Sequence, residues 1–343
     1  MPRKKITIRC GLSPGDVLML TAAVRDLSLS HPDSFDVAVD TCFPALWENN
    51  PFIRPFAQVE EPREVVDAHY PIVHNSNEGS LHFIHGYRLH LESTLGVPIT
   101  PTTFWGDIHL SETEVNSPPL FSRAFTLTDT PYWLISTGGK MDFTAKWWIP
   151  EYAQMVVNHF RDRIQFVQFG AVGPNHHHPA LDGVINLVGH TDIRALVLLM
   201  YYAVGVICPI TFAMHLAAAV PTRPGLPRRR ACVVTAGGRE PSIFTAYTNH
   251  IFLHSNGQMR CCDNGGCWVS RIAPLEFDPQ HNQRLCHDPV LYNGRLVQRC
   301  MRDLVTPDDV IRAVERYHIG GSLRYLPEGS RSVHATCDTI NHQ

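Results

Sequence analysis

The chain alternates short apolar runs with longer stretches in which apolar positions recur at helical period. "KITIRC", residues 5–10, "FDVAVDT", residues 35–41, and "HYPIVHN", residues 69–75, read as strands. Between the first two, Val17, Leu20, Val24 and Leu27 fall on one helical face. A second helix is predicted over "LHFIHGYRLHLESTLG", residues 81–96, stopped by Gly96 and then Pro98. The pattern weakens between Asn116 and Pro131, which reads as a linker. A second series then begins with the strand "YWLIST", a helix from about Pro150 to Phe160, and the strands "IQFVQFG" and "GVINLVG". It continues with a helix opened by Thr191 and Asp192, the strand "VGVIC", a helix around "AMHLAAA" and the strand "ACVVTAG". The last helix takes Thr306 as N-cap, Pro307 at its first position and Asp308 and Asp309 in its first turn. Its apolar face is Val310, Ile311, Val314 and Tyr317, glycines 320–321 end it, and the tail after Pro327 is expected to be disordered. Strands alternating with helices predict parallel sheets covered on both faces, and two such series predict two Rossmann-like domains with a cleft between them.

Bulk numbers agree. A chain of 343 residues, 44% hydrophobic and 18% charged, is globular and long enough for two cores. Its formal net charge of −3 gives no global basic field for nucleic acid. The local runs "PRKK" at the start and "PRRR" at 227–230 read as solvated tips. No signal-like apolar core follows the first residues, so a cytoplasmic location is expected. Ala195 to Val220 carries no Asp, Glu, Lys or Arg, the length of a membrane span, but Gly205, Pro209 and His215 interrupt it. It reads as helix, strand, turn and helix, and no membrane span is expected.

Chemistry concentrates in few places. In "GLSPGDVLML", residues 11–20, Ser13 and Asp16 have capping-box spacing with Pro14 at the first helical position. The same carboxylate would sit above the carboxyl edge of a parallel sheet, where open α/β folds bind ligands. "GLSPGD" lacks the third glycine of a dinucleotide fingerprint, and no Gly-Lys-Ser/Thr loop occurs. Ten cysteines without a secretory signal argue against a disulfide framework. Cys10, Cys208 and Cys232 lie in strand-like contexts and read as reduced core residues. Cys261, Cys262 and Cys267 around a glycine turn, followed by Cys286 and Cys300, could supply four thiolates to one structural metal, zinc by default or iron, with one of the adjacent pair spare. His176, His177 and His178 read as an exposed run. Trp47, His82 and His85 are candidate acceptor contacts. Asp142 and Glu240 are candidate cleft acids that nothing in their spacing raises above surface charges.

"GLSPGDVLMLTAAVRDL", "GGKMDFTAKWW" at 138–148 and "TFAMHLAAA" at 211–219 occur in that order. Together they resemble glycosyltransferase family nine, the ADP-heptose:lipopolysaccharide heptosyltransferase superfamily. "DTCFPALWENNPF" and the cysteine-rich end are most similar to its bacterial autotransporter heptosyltransferase branch. The resemblance implies a GT-B fold: an acceptor domain over residues 1–125 and a nucleotide-sugar domain over 126–325, with a cysteine-rich metal finger at 259–302. It implies an inverting, metal-independent transfer of a sugar, heptose or hexose, from a nucleotide diphosphate donor such as ADP-heptose to a glycan or protein hydroxyl. Asp16 matches the family's general base. Ser13, Gly15, Thr144, Lys146, Thr211 and His215 match its donor-binding positions, with Lys140 in the glycine turn the alternative cation to Lys146, and the metal it suggests is iron. The chain departs from the family at Ile210, Thr211 and Phe212, where Asp-Thr-Gly is usual. Two rival readings are a GT-B-like binding protein without catalysis and a phage-type glycosyltransferase acting on DNA bases. A homo-oligomer is compatible with any of these.

Overall fold

The structure, a computed structural model, describes residues 2–54, 62–69, 72, 76–116, 130–275 and 284–328. A parallel sheet of three strands opens the chain, with β1 (Lys4–Cys10) between β2 (Phe35–Thr41) and β3 (Glu64–Asp67). Ile6 faces Val37, and Ile8 lies between Val39 and Val66. The order 2-1-3 places a switch point at the carboxyl end of β1, where α1 (Pro14–Ser30) begins. The third strand lies upstream of the stretch expected at 69–75, of which residues 70, 71 and 73–75 are outside the described residues. It is a four-residue edge strand, "EVVD", with Val66 buried and Val65 exposed, too short and polar for a search of apolar runs.

Helix α1 is buried on nearly every side, from Val17 through Leu27. One apolar face was expected. In fact α2 (Ile84–Leu95) covers part of it and a helix of the second half covers more. Arg25 tolerates this burial because Asp26, the Thr102 hydroxyl and the Thr103 and Trp105 carbonyls accept its N–H groups at 3.0–3.1 Å. The helix α2 stops where the sequence predicts, at Gly96 in the left-handed region with φ +67°.

Beyond α3 (Glu112–Asn116), six parallel strands form the second sheet: β4 (Tyr132–Ile135), β6 (Gln165–Gln168), β8 (Ile185–Asn186), β9 (Gly205–Pro209), β10 (Ala231–Gly237) and β11 (Ile251–His254). A separate flap pairs two residues of β5 (Gly139–Lys140) with two of β7 (His176–His177), antiparallel. The spatial order β11-β10-β9-β4-β6-β8 is that of the doubly wound Rossmann sheet, with its switch point between β4 and β9. Its connections include α4 (Pro150–His159), α5 (Ile193–Tyr202), α6 (Phe212–Ala219) and α7 (Ser242–Thr245). The hairpin β12 (Pro289–Tyr292) and β13 (Arg295–Gln298), then α8 (Arg299–Asp303) and α9 (Pro307–Ile319), follow the cysteine-rich segment. Asp192 caps α5 and Thr306 caps α9 through their side chains, as predicted. The stretch 195–220 resolves into helix, strand, turn and helix, and among the described residues no helix is long and apolar enough to cross a membrane.

One core runs from the first sheet through α1 and α6 to one face of the second sheet. The other face is covered by α4 and α9. Polar contacts also join the halves, among them those of Arg194 and Asn77. Arg194 at the start of α5 reaches Glu48 at 3.2 Å and Glu114 at 2.6 Å. Asn77 holds the cysteine-rich loop: its Oδ1 accepts the Gly266 N–H at 2.9 Å and the Trp268 indole N–H at 3.0 Å, and its Nδ2 donates to the Gly266 carbonyl at 3.0 Å.

Candidate active site where two helix N-termini meet

Both switch points present a helix N-terminus, and the two ends touch. A Cβ on Gly15, in the first turn of α1, would stand 3.7 Å from His215 Cδ2 and 3.9 Å from the Cα of Phe212, the first residue of α6. Ser13 caps α1 in extended conformation. Its N–H donates to Asp16 Oδ2 at 3.2 Å and its hydroxyl donates to the same oxygen, so the capping box is formed and Asp16 is half-buried in it. Thr211, the N-cap of α6, turns its hydroxyl back toward the Pro209 carbonyl at 3.4 Å and makes no side-chain cap. Among the described residues no side chain caps α6, whose Met214 N–H bonds the Thr211 carbonyl at 3.1 Å, and such a helix N-terminus suits an anion.

The cation of the site is Lys146. Its Nζ lies 2.8 Å from Glu240 Oε1. The Arg239 guanidinium donates to that same oxygen and, through Nε, to the Val269 carbonyl at 2.8 Å. Burial alone would raise the Glu240 carboxyl, but Lys146 and Arg239 outweigh it and hold it below the usual range. Burial pulls the Lys146 ammonium down against the upward push of Glu240 and Asp16. Glu240 is thus a buried, doubly paired acid, where the sequence suggested a surface charge. Asp142 is likewise engaged, accepting from Asn175 at 2.7 Å and from Arg271 at 3.1 Å. Sequence reasoning passed over both because charge is visible in a sequence and its partner is not.

His215 is buried beside Phe83, with Nδ1 3.0 Å from the Tyr247 hydroxyl, which in turn lies 3.4 Å from the Met19 sulfur of α1. Burial drives it well below the usual histidine range, so it enters as neutral imidazole. Thr144 faces elsewhere: its hydroxyl accepts the Ile272 N–H at 3.1 Å and its carbonyl accepts from Gln298. Lys140 pairs by its backbone with His176 in the flap. That flap presses so closely that a Cβ on Gly138 would stand 2.0 Å from the His177 carbonyl oxygen. Of the three histidines, only His177 is fully exposed. Trp47 and His82, expected to meet an acceptor, are core residues, and His85 is half-buried beside Phe104.

The cysteines gather around the turn at Gly237–Gly238. Cys261, Cys262, Cys267, Cys286 and Cys300 lie within electrostatic reach of one another: burial and then the neighbouring thiols push Cys261 up to about 12 and Cys300 up to about 11. Backbone N–H groups of Val269, Asp288 and Gly238 face the sulfurs of Cys267, Cys286 and Cys300. Cys262 differs, since its thiol donates to the Ser255 carbonyl at 3.1 Å. Among the described residues, no three Cys, His, Asp or Glu side chains stand close enough to form a metal site.

Two parallel sheets, each with its crevice at the carboxyl ends and the two joined through helix N-termini, are the architecture of the GT-B class. Solved structures sharing it include the iron-containing dodecameric glycosyltransferase TibC from enterotoxigenic Escherichia coli, with TM-score 0.61 and 17% identity over 93% of this chain and 76% of that one. A glycosyl transferase of family 9 from Veillonella parvula gives TM-score 0.57 and 16% identity over 73% of this chain and 86% of its own. The ADP-heptose lipopolysaccharide heptosyltransferase II of Escherichia coli gives 0.55 and 14%, over 93% and 100%. The sequence matches no protein-family profile and no curated protein, so the likeness is one of fold.

Proposed function

We propose that this protein is an inverting glycosyltransferase that moves a sugar from a nucleoside diphosphate donor to a hydroxyl acceptor. The observation that carries the reading is the meeting of two helix N-termini beside Lys146 and Asp16. The uncapped N-terminus of α6, with Thr211, receives the diphosphate, and Lys146 supplies the compensating charge as the leaving group departs. His215 contributes a neutral imidazole, a hydrogen-bonding partner. Asp16 keeps one oxygen on Ser13 and offers the other to the acceptor hydroxyl, taking its proton as the anomeric carbon is attacked from the opposite face. Phe212 stands where the resembling family carries glycine, which narrows the approach to the phosphates and leaves the sugar, heptose or hexose, to the donor pocket's remaining walls.

The halves are taken as an acceptor domain over residues 1–125 and a donor domain over 126–325. By ligand chemistry, and by the three N–H groups aimed at sulfur, Cys261, Cys267, Cys286 and Cys300 are the set that would hold a thiolate metal ion, iron or zinc, once drawn closer together than they stand. Such an ion would supply a structural cross-link there and no step of transfer.

Incubation with mixed ADP-, UDP- and GDP-sugars, followed by mass spectrometry of products and by calorimetry with the free nucleotides, tests the reading. Asp16→Asn should lower transfer by about 10²- to 10⁴-fold while nucleotide binding persists. Full transfer in that variant removes Asp16 as the base. A wild-type chain that binds none of the three nucleotides is a binding protein of another kind.

A further inference from the structure

Only four of the 29 basic residues in the chain are lysines: Lys4, Lys5, Lys140 and Lys146. The chain otherwise uses arginine, and the two cations that share Glu240 are one of each. Their environments differ. Arg239 is fixed, with Nε on the Val269 carbonyl at 2.8 Å and its guanidinium 5.3 Å from the ring centres of both Phe143 and Trp268. Its side chain is 8% exposed and that of Glu240 6%. Lys146 has a flexible stem, a side chain 23% exposed, and an ammonium that can turn any of three donors outward. One carboxylate oxygen therefore joins an immobile cation to a movable one.

We propose that Glu240, anchored by Arg239, is the positioning residue for Lys146, holding its ammonium toward the first turn of α1 until the diphosphate of a donor takes it over. This rests on the reading that Lys146 meets that diphosphate. The charged or titratable groups acting on Lys146 are Glu240 and Asp16, which favour its charge, and Arg239 and burial, which oppose it. His215, close enough to feel Lys146, is neutral. Take away the Glu240 charge and only Asp16 remains on the favourable side. The ammonium then loses its proton at lower pH. Glu240 also repels an incoming phosphate, so its removal has opposite effects below and above the Lys146 titration.

With only four lysines, reductive ¹³C-methylation of the full chain resolves each by NMR, and Lys146→Met assigns its signal. In Glu240→Gln the Lys146 titration should move down by about 1 to 3 pH units. ADP binding by calorimetry should lose its alkaline limb by the same shift, while at lower pH the variant binds ADP at least as tightly as wild type. Glu240→Asp, with its carboxylate drawn back, should give a smaller shift in the same direction, and serves if the glutamine variant does not fold. An unmoved Lys146 titration, or ADP affinity lowered equally at every pH, overturns the proposal and leaves Glu240 a packing residue. If wild type binds no ADP while the titration still moves, the donor reading fails and the coupling stands.

Discussion

His82 is buried to 4% exposure among the rings of Phe83, Phe104 and Tyr247, whose centres lie 4.7–5.5 Å away. Burial lowers it to about 4, so the folded protein keeps it neutral where an unfolded chain would protonate it near 6.5. As pH falls from 6.5 toward 4, the unfolded state binds a proton that the native state refuses. Stability conferred by the neutral ring is thus full above 6.5 and is lost across that window, by up to about 3 kcal/mol. Urea unfolding at pH 7 and pH 5 should show that loss in wild type and less of it in His82→Phe. Equal losses would mean the acid sensitivity lies elsewhere. Sequence placed this histidine among acceptor contacts because residues 75–88 read as a loop the first domain would present to an acceptor, and nothing in the local pattern shows that α7 and Tyr247 close over it. Asp16 is the reverse case. Its spacing from Ser13 disclosed the capping box, and the same turn also faces α6, so a side chain that caps its helix stands where the two helix ends meet.

At the scale of elements, most boundaries were legible. Strands β2 and β10 match the alternating runs residue for residue, and the N-caps Asp192 and Thr306 stand where capping chemistry puts them. The hairpin β12–β13 was passed over although "YNG" announces it: Asn293 and Gly294 both take positive φ, 47° and 77°, as a tight two-residue turn needs. Its strands show Leu291 and Leu296 to solvent, so no apolar face marked them. The cysteine-rich segment was legible as a group of thiols and not as to which of the adjacent pair serves. The Cys262 hydrogen bond to Ser255 assigns that difference a consequence. If the proposed thiolate metal is bound, Cys267→Ser should release it and lower the melting midpoint by roughly 5 °C, whereas Cys262→Ser should retain it. Elemental analysis beside a thermal scan checks both, and loss of metal from the Cys262 variant alone would reverse the assignment.

Across the whole molecule, the two sheets act through what joins them. Asn77→Ala removes three hydrogen bonds between halves and should cost about 2–3 kcal/mol of stability. Hydrogen exchange should quicken at Gly266 and Trp268 while metal content stays the same. An unchanged exchange rate at both residues would show that the loop is held by its own thiols. The chain-order alternation predicted two sheets; it could not predict these clasps, because each depends on residues far apart in sequence, 189 positions for Asn77 and Gly266.

Arg194, Asn77 and the packed helix ends each tie the two halves together. Two bodies fastened at several places swing less freely than two joined by a single hinge. If the proposed transfer holds, donor entry and product exit would then fall to side chains and short loops near the helix ends more than to motion of the large bodies.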